Sequence, residues 1–285
     1  MGPLHPSETA IRVAAMRAVH QLIDGDPKII ADPVAVDLIR AASEEALHVE
    51  LVTHDEPAKR HLRANFALRS RFAEDRLKEA VRRGVSQYVV LGAGLDTFGY
   101  RQPEWARDLA IVEIDHPATL QFKIGCLERA GVSVPANVRY FALDFGVDGG
   151  ANKFADAPLD ATIPTFVSWL GVTQYLERRD VFRTLGTVAS WRGGSEITLT
   201  YIVDDWGSLR PEEMSAMKIG DTRAAASGEP WLSRFSETAI TDLLSASGFS
   251  RIEHLSIPAA KASYFSGRQD GLQPSGGIGL VYART

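Results

Sequence analysis

The sequence predicts an α/β fold: a doubly wound, mostly parallel seven-stranded sheet, preceded by an N-terminal helical cap and carrying a lid insertion. Three observations carry that prediction. From Gln87 onward, short apolar runs rich in β-branched residues alternate with helical stretches, as expected of strands buried on both faces. The first run, QYVVL, leads into Gly92 and Gly94, which let the backbone turn sharply because neither carries a Cβ. The second, in LAIVEIDHP (109–117), ends on Asp115, a carboxylate at the strand's carboxyl end, where ligands lie in open α/β sheets.

The elements follow in order. Residues Thr9 to about Asp24 place Ile11, Ala14, Ala15, Ala18, Val19 and Leu22 at helical spacing, and Asp24-Gly25-Asp26-Pro27 ends the helix. Asp32-Pro33 starts a second helix, and Ser43 to Pro57 reads as helical pieces and a loop. A long helix from about Pro57 to Arg83 closes the cap at residue 84. The core, 85–285, opens with the first strand, its glycine turn and a helix start, then the second strand. Ala118 to Ala130 is helical, Val138 to Phe145 is a third strand with Asp144 at its tip, and Thr165 to Val172 is a fourth. Tyr175 to Ala189 is helical, and a fifth strand runs from Glu196 to Val203. Residues 204–230 are polar and show no core face, so they read as a lid over the strand tips. A helix from Phe235 to Ser247, a strand from Phe249 to Ile257 and a last strand from Gly277 to Arg284 complete the sheet. Pro258 to Ser275 has little helical signal for a crossover, so the last strand is expected to run antiparallel.

Composition limits the function classes. The 285 residues have a formal net charge of -5, which gives no electrostatic footprint for nucleic acid or an anionic membrane. The single cysteine, Cys126, excludes an intrachain disulfide and fits a reducing, cytoplasmic compartment. The opening MGPLHPSETA has no basic stretch followed by an apolar core, so no secretory leader is expected. No apolar run is long enough to span a membrane. The seven histidines are scattered with no His-x-x-x-His pair, and no metal site is expected.

A carboxylate at the second strand tip can bind the ribose hydroxyls of an adenosine, which dinucleotides and S-adenosylmethionine share. The dinucleotide fingerprint calls for a third glycine and a pyrophosphate at a helix N-terminus. Here Thr97 holds the third position and Asp96 sits on the loop, where its charge would repel a pyrophosphate. A sulfonium and an ammonium favour nearby carboxylates, which points to S-adenosylmethionine. The competing reading of Asp96 is a helix cap.

Several stretches together resemble the leucine carboxyl methyltransferase-like group of class I S-adenosylmethionine-dependent methyltransferases, which have a Rossmann-like core. They are Arg69-Ser70-Arg71-Phe72 followed by Glu74-Asp75, the loop VLGAGLDTFGYR (90–101), Glu113 to Pro117, Leu143-Asp144-Phe145 and WLGVTQYL (169–176). The resemblance runs from about Arg17 to Thr285 and implies O-methylation of a hydroxyl or carboxylate on a small-molecule acceptor. It implies that Gly92, Ala93 and Gly94 line the methionine part of the cofactor, with His116 bordering the adenosine. Asp115 would take the ribose, Asp144 the adenine amino group, and the Phe145 amide a ring nitrogen. Arg69 would pair with the methionine carboxylate through its two-pronged guanidinium. Where the family usually has a glutamate for the ammonium, this chain has Leu170, which offers only its backbone carbonyl; Asp96 is expected to compensate in part.

A carboxylate acceptor needs no general base, whereas an ordinary hydroxyl does. Candidates by location are His20, His116, Tyr175, Tyr201, Asp204 and Asp205, and none stands out as catalytic. Trp206 and Trp231 flank the lid and are candidates for lining an apolar acceptor pocket. Two alternatives stand beside methyl transfer: a nicotinamide-dependent oxidoreductase, which leaves Asp96 and Thr97 unexplained, and a non-catalytic scaffold, suggested by Leu170.

Overall fold

The computed structural model describes residues 6–145 and 156–285. Met1 to His5, part of the stretch on which the leader expectation rests, lie outside the described residues. Helices α1 (Glu8–Ile23), α2 (Pro33–Val52) and α3 (Pro57–Arg82) precede the sheet. Its strands are β1 (Gln87–Leu91), β2 (Ala110–Asp115), β3 (Val138–Ala142), β4 (Thr165–Trp169), β5 (Ser195–Ile202), β6 (Arg251–His254) and β7 (Ile278–Arg284). Helices α4 (Pro117–Arg129), α5 (Arg178–Ala189), α6 (Pro211–Ala226), α7 (Glu237–Ser247) and α8 (Ile257–Tyr264) connect them.

The seven strands lie in the order β3-β2-β1-β4-β5-β7-β6. β1 to β5 are parallel, and β7 runs antiparallel between β5 and β6. Chain order reverses beside β1, which pairs with β2 on one side and β4 on the other. That reversal opens a crevice at the carboxyl ends of the three strands. Alternation along β1 feeds both faces: Tyr88 and Val90 join an apolar layer with Leu68, Phe72 and Leu77 of α3. Val89 and Leu91 join the opposite layer, with Val181 and Leu185 of α5 and Ile240 and Leu244 of α7. A third apolar cluster ties α1 and α2 to α4 through Ala15, Ala18, Leu38, Ile39 and Leu127. Among the described residues no helix is long and apolar enough to cross a membrane.

The structure departs from the sequence expectation where backbone leaves the sheet. No α-helix follows the glycine turn. The β1–β2 connection is two short 3-10 turns, Phe98–Tyr100 and Glu104–Ala106, with Pro103 between them. Phe98 and Ala106 pack into the same layer as α3. The third and fourth strands end three residues early, at Ala142 and Trp169, and the three residues after each line the crevice. The segment read as helical pieces is the second half of α2. It is kinked at Ser43 (φ -165°, ψ 98°), whose Oγ accepts from Ala46 N at 3.1 Å. Most of the segment read as a polar lid is α6, which starts with Pro211 at its first turn and Glu213 accepting from Arg210 N at 3.1 Å. Its core face was weak in the sequence because few of its side chains are buried, Glu213 among them.

Candidate active site

A cavity of about 860 Å³ opens over the carboxyl ends of β1, β2, β4 and β5. Arg69, Gly92, Ala93, Gly94, Asp96, Asp115, His116, Asp144, Phe145 and Leu170 all line it. Its floor is the glycine turn and the strand tips. Its roof is the first half of α1 together with α6 and the residues that follow it. Among the described residues two side-chain hydrogen bonds join the halves of the roof: Ser227 Oγ donates to Glu8 Oε2 at 2.9 Å, and Thr9 Oγ1 to Glu229 Oε2 at 2.6 Å.

The floor is set by backbone. Gly92 has φ +67°, and a Cβ there would lie 2.2 Å from Val172 Cγ2, so no side chain fits. The amides of Gly92 and Ala93 both donate to Ile114 O, at 2.8 and 3.1 Å, which pins the turn to β2. Asp115 accepts from Gly94 N at 2.5 Å and from His116 N at 2.6 Å. Burial pushes its pKa above the usual carboxylate value, while those two amides pull the other way. Each carboxylate oxygen keeps a lone pair for a further donor. His116 is the N-cap of α4, where its Nδ1 accepts from Ala118 N at 3.2 Å; its Nε2 lies 3.6 Å from Asp144 Oδ2.

Asp96 closes the 3-10 turn, with Oδ1 accepting from Phe98 N at 2.8 Å, and its Oδ2 lies 3.5 Å from Arg17 Nη1. One oxygen thus caps the turn, as the competing reading had it, and the other faces a cation of this chain, Arg17. Arg69 reaches the cavity from α3. Its guanidinium sits 4.8 Å over the Phe66 ring, and among the described residues it forms no ion pair or hydrogen bond. A Cβ on Gly171 would lie 2.5 Å from Arg69 Nη1, so that glycine lets the guanidinium approach the β4 tip. Burial and the neighbouring charge of Arg17 lower the Arg69 pKa to about 10. Leu170 also lines the cavity and packs against the α3-side core.

Sequence reasoning missed the network beneath the floor. Arg17, buried on α1, pairs with Asp32 and donates to Thr97 Oγ1 at 2.7 Å. Thr97 Oγ1 is 2.7 Å from Asp32 Oδ2, and Arg101 Nε is 3.2 Å from Asp32 Oδ1. Arg101 also pairs with Glu74 on α3. Burial alone would raise the Asp32 pKa; the charges of Arg17 and Arg101 outweigh it and hold the carboxyl below its ordinary value. Thr97 therefore stands at the third-glycine position because its hydroxyl ties the loop to the N-terminal helices. The available signal was Arg17, where the family resemblance begins.

Most base candidates fall away. His20 is fully buried, 2.8 Å from Asp24 Oδ2, with its Nε2 accepting from Ile29 N at 3.2 Å; it is a structural group outside the cavity. Asp204 and Asp205 are exposed and do not line the cavity. Tyr201 lines it, but its hydroxyl lies 3.4 Å from His254 Nδ1. Tyr175 and His116 remain. Of the two tryptophans, Trp231 lines the cavity, whereas Trp206 stacks edge-on behind it at 6.2 Å. Among the described residues no group of three or more His, Cys, Asp or Glu side chains could hold a metal.

Residues 10–189 match the leucine carboxyl methyltransferase family. The chain belongs to that family. YktD of Bacillus subtilis, whose name places it among S-adenosyl-L-methionine-dependent methyltransferases, is 35% identical over 221 residues, 75% of this chain and 70% of its own length. A relative from Mycolicibacterium paratuberculosis with the same type of name is 30% identical over 217 residues, 70% of this chain and 68% of its own. A Mycobacterium marinum relative is 36% identical over 174 residues, and the match spans only 56% of its length. Among solved structures, a Thermobifida fusca protein described as a methyltransferase aligns over 99% of this chain and 95% of its own at TM-score 0.57 and 17% identity. A DUF574 family protein from Streptomyces avermitilis aligns at TM-score 0.53 and 18% identity, covering 95% and 97%. At those identities the two structures speak for the fold, which is the Rossmann-like class I methyltransferase fold. Family membership makes S-adenosylmethionine the expected methyl donor of this leucine carboxyl methyltransferase family protein.

Proposed function

We propose that this protein transfers the methyl group of S-adenosylmethionine to an oxygen, hydroxyl or carboxylate, of a small molecule. The observation that carries the reading is one cavity lined by Asp115 and Asp144, from adjacent strand ends, and by Arg69, whose guanidinium makes no ion pair or hydrogen bond among the described residues. That combination of charges suits a zwitterionic nucleoside. Asp115 would accept from the ribose hydroxyls, Asp144 from the adenine amino group, and the Phe145 amide would donate to a ring nitrogen. Arg69 would hold the methionine carboxylate. Asp96 and the Leu170 carbonyl would face the ammonium, with Asp96 shared between that role and Arg17.

The bound cofactor supplies an electrophilic methyl on a sulfonium, open to in-line displacement. The chain's contribution is to bind, orient and exclude water, which supplies up to several kcal/mol of a two-reactant barrier. Among the described residues no histidine other than His116 lines the cavity, and its Nδ1 caps α4; Tyr175 is the other base candidate there. A carboxylate or acidic hydroxyl, ionised without help, needs neither and is the acceptor best served. A pyrophosphate in place of the methionine would meet Asp96, which disfavours the dinucleotide alternative.

Calorimetric titration with S-adenosylhomocysteine tests the site. Asp115→Ala should weaken binding by about 2–4 kcal/mol, since two hydrogen bonds to a charged group are lost. Unchanged affinity would remove Asp115 from the site, and no binding to the parent protein would end the proposal.

A further inference from the structure

Beyond the residues assigned to the cofactor, the cavity is lined by an apolar group, Met16, Leu62, Phe66, Met217, Trp231 and Ile278. Three charged side chains of α1 also line it, Glu8, Arg12 and Arg17; Glu8 takes the Ser227 hydroxyl and Arg17 pairs with Asp32. Arg12 lines the cavity, is half-buried, and among the described residues has no ion pair, hydrogen bond or ring contact.

Local helix geometry makes this arrangement informative. Glu8 is four residues before Arg12 on the same helix, the order and spacing at which an acid–arginine pair favours a helix. That pair is not made. Glu8 Oε2 instead takes the Ser227 hydroxyl, and Glu229 takes the Thr9 hydroxyl. The acid one turn from Arg12 is thus committed to joining the roof, and among the described residues no carboxylate pairs with the Arg12 guanidinium beside these apolar side chains. A cation there gains most from an anion that arrives with an apolar body, because its fork matches a carboxylate while the wall takes the rest.

Resting on the methyltransferase reading above, we propose that Arg12 is the residue that selects the acceptor, and that the acceptor is a small aromatic or aliphatic molecule bearing a carboxylate that Arg12 binds. Arg69 and Arg12 then divide the work: one takes the acid of the cofactor, the other the acid of the acceptor.

Matched probes test this on the full chain saturated with S-adenosylhomocysteine. Calorimetry would compare indole-3-acetate with indole-3-ethanol, 4-hydroxyphenylacetate with its alcohol, and octanoate with octanol. At least one acid should bind about tenfold or more tighter than its alcohol, the scale of one charge-assisted contact. Arg12→Gln should abolish that preference while leaving S-adenosylhomocysteine affinity within about twofold and the melting temperature unchanged. Arg69→Gln should do the reverse, lowering cofactor-product affinity. Equal binding of acids and alcohols, no binding of any acid, or a preference that survives Arg12→Gln would overturn the assignment. Failure of S-adenosylhomocysteine itself to bind would instead sink the underlying methyltransferase reading.

Discussion

The floor and the roof of the cavity are built by different means. The floor is backbone: a glycine turn that no side chain can enter, amides donated to Ile114 O, and a carboxylate held by two more amides. Below it lies a buried lattice of Arg17, Asp32, Thr97, Arg101 and Glu74. The roof is side chain on side chain, joined at Thr9–Glu229 and Ser227–Glu8. A backbone-built floor suits a ligand that does not change, and a roof held by two hydroxyl contacts suits one that must enter and leave.

The largest expected effect lies under the floor. Asp32 is fully buried between two arginines, so Asp32→Ala leaves uncompensated charge and should cost about 3–5 kcal/mol in denaturant unfolding. Its sign with pH is fixed by the lowered native pKa. The stabilisation is whole above the ordinary value of 3.8 and is lost as pH falls through the native value. Acid unfolding of the parent should therefore show a component that Asp32→Ala lacks. A loss below about 1 kcal/mol would mean that the floor is not anchored from beneath.

The smallest expected effect lies in the roof. Thr9→Val removes one part-buried hydrogen bond and should change global stability by no more than about 1 kcal/mol. If that contact closes the cavity, S-adenosylhomocysteine should nonetheless dissociate about three- to fivefold faster, measured by stopped flow. A rate equal to that of the parent protein would make the contact a passive surface bond.

The same division explains what the sequence made legible. Gly92, Gly94 and Asp115 announce themselves because a positive φ, a close approach and a strand-tip carboxylate each restrict residue type, and the ten residues named from sequence line one cavity. The parallel sense of the first strands and the antiparallel last one were legible from alternation, although the last connection carries a helix, Ile257–Tyr264, where little helical signal was read. The missing β1–β2 helix was not legible, because α3, distant in sequence, shares that layer with the two short turns. Arg17 and Asp32 were hidden because their partners lie up to 80 residues away, and a buried arginine in an alanine-rich helix looks like a solvated one. The roof was hidden more fully. Its contacts join residues some 220 positions apart through side chains common on any surface.

The central claim is that a nucleoside bound at the tips of β1, β2 and β3 presents its sulfur to the pocket beneath α1 and α6. A co-crystal structure with S-adenosylhomocysteine addresses it directly. The ribose hydroxyls should lie on Asp115 and the amino-acid carboxylate on Arg69, with open space between the sulfur and Arg12. Density for the nucleoside elsewhere, or a crevice filled by the protein's own side chains, would contradict it.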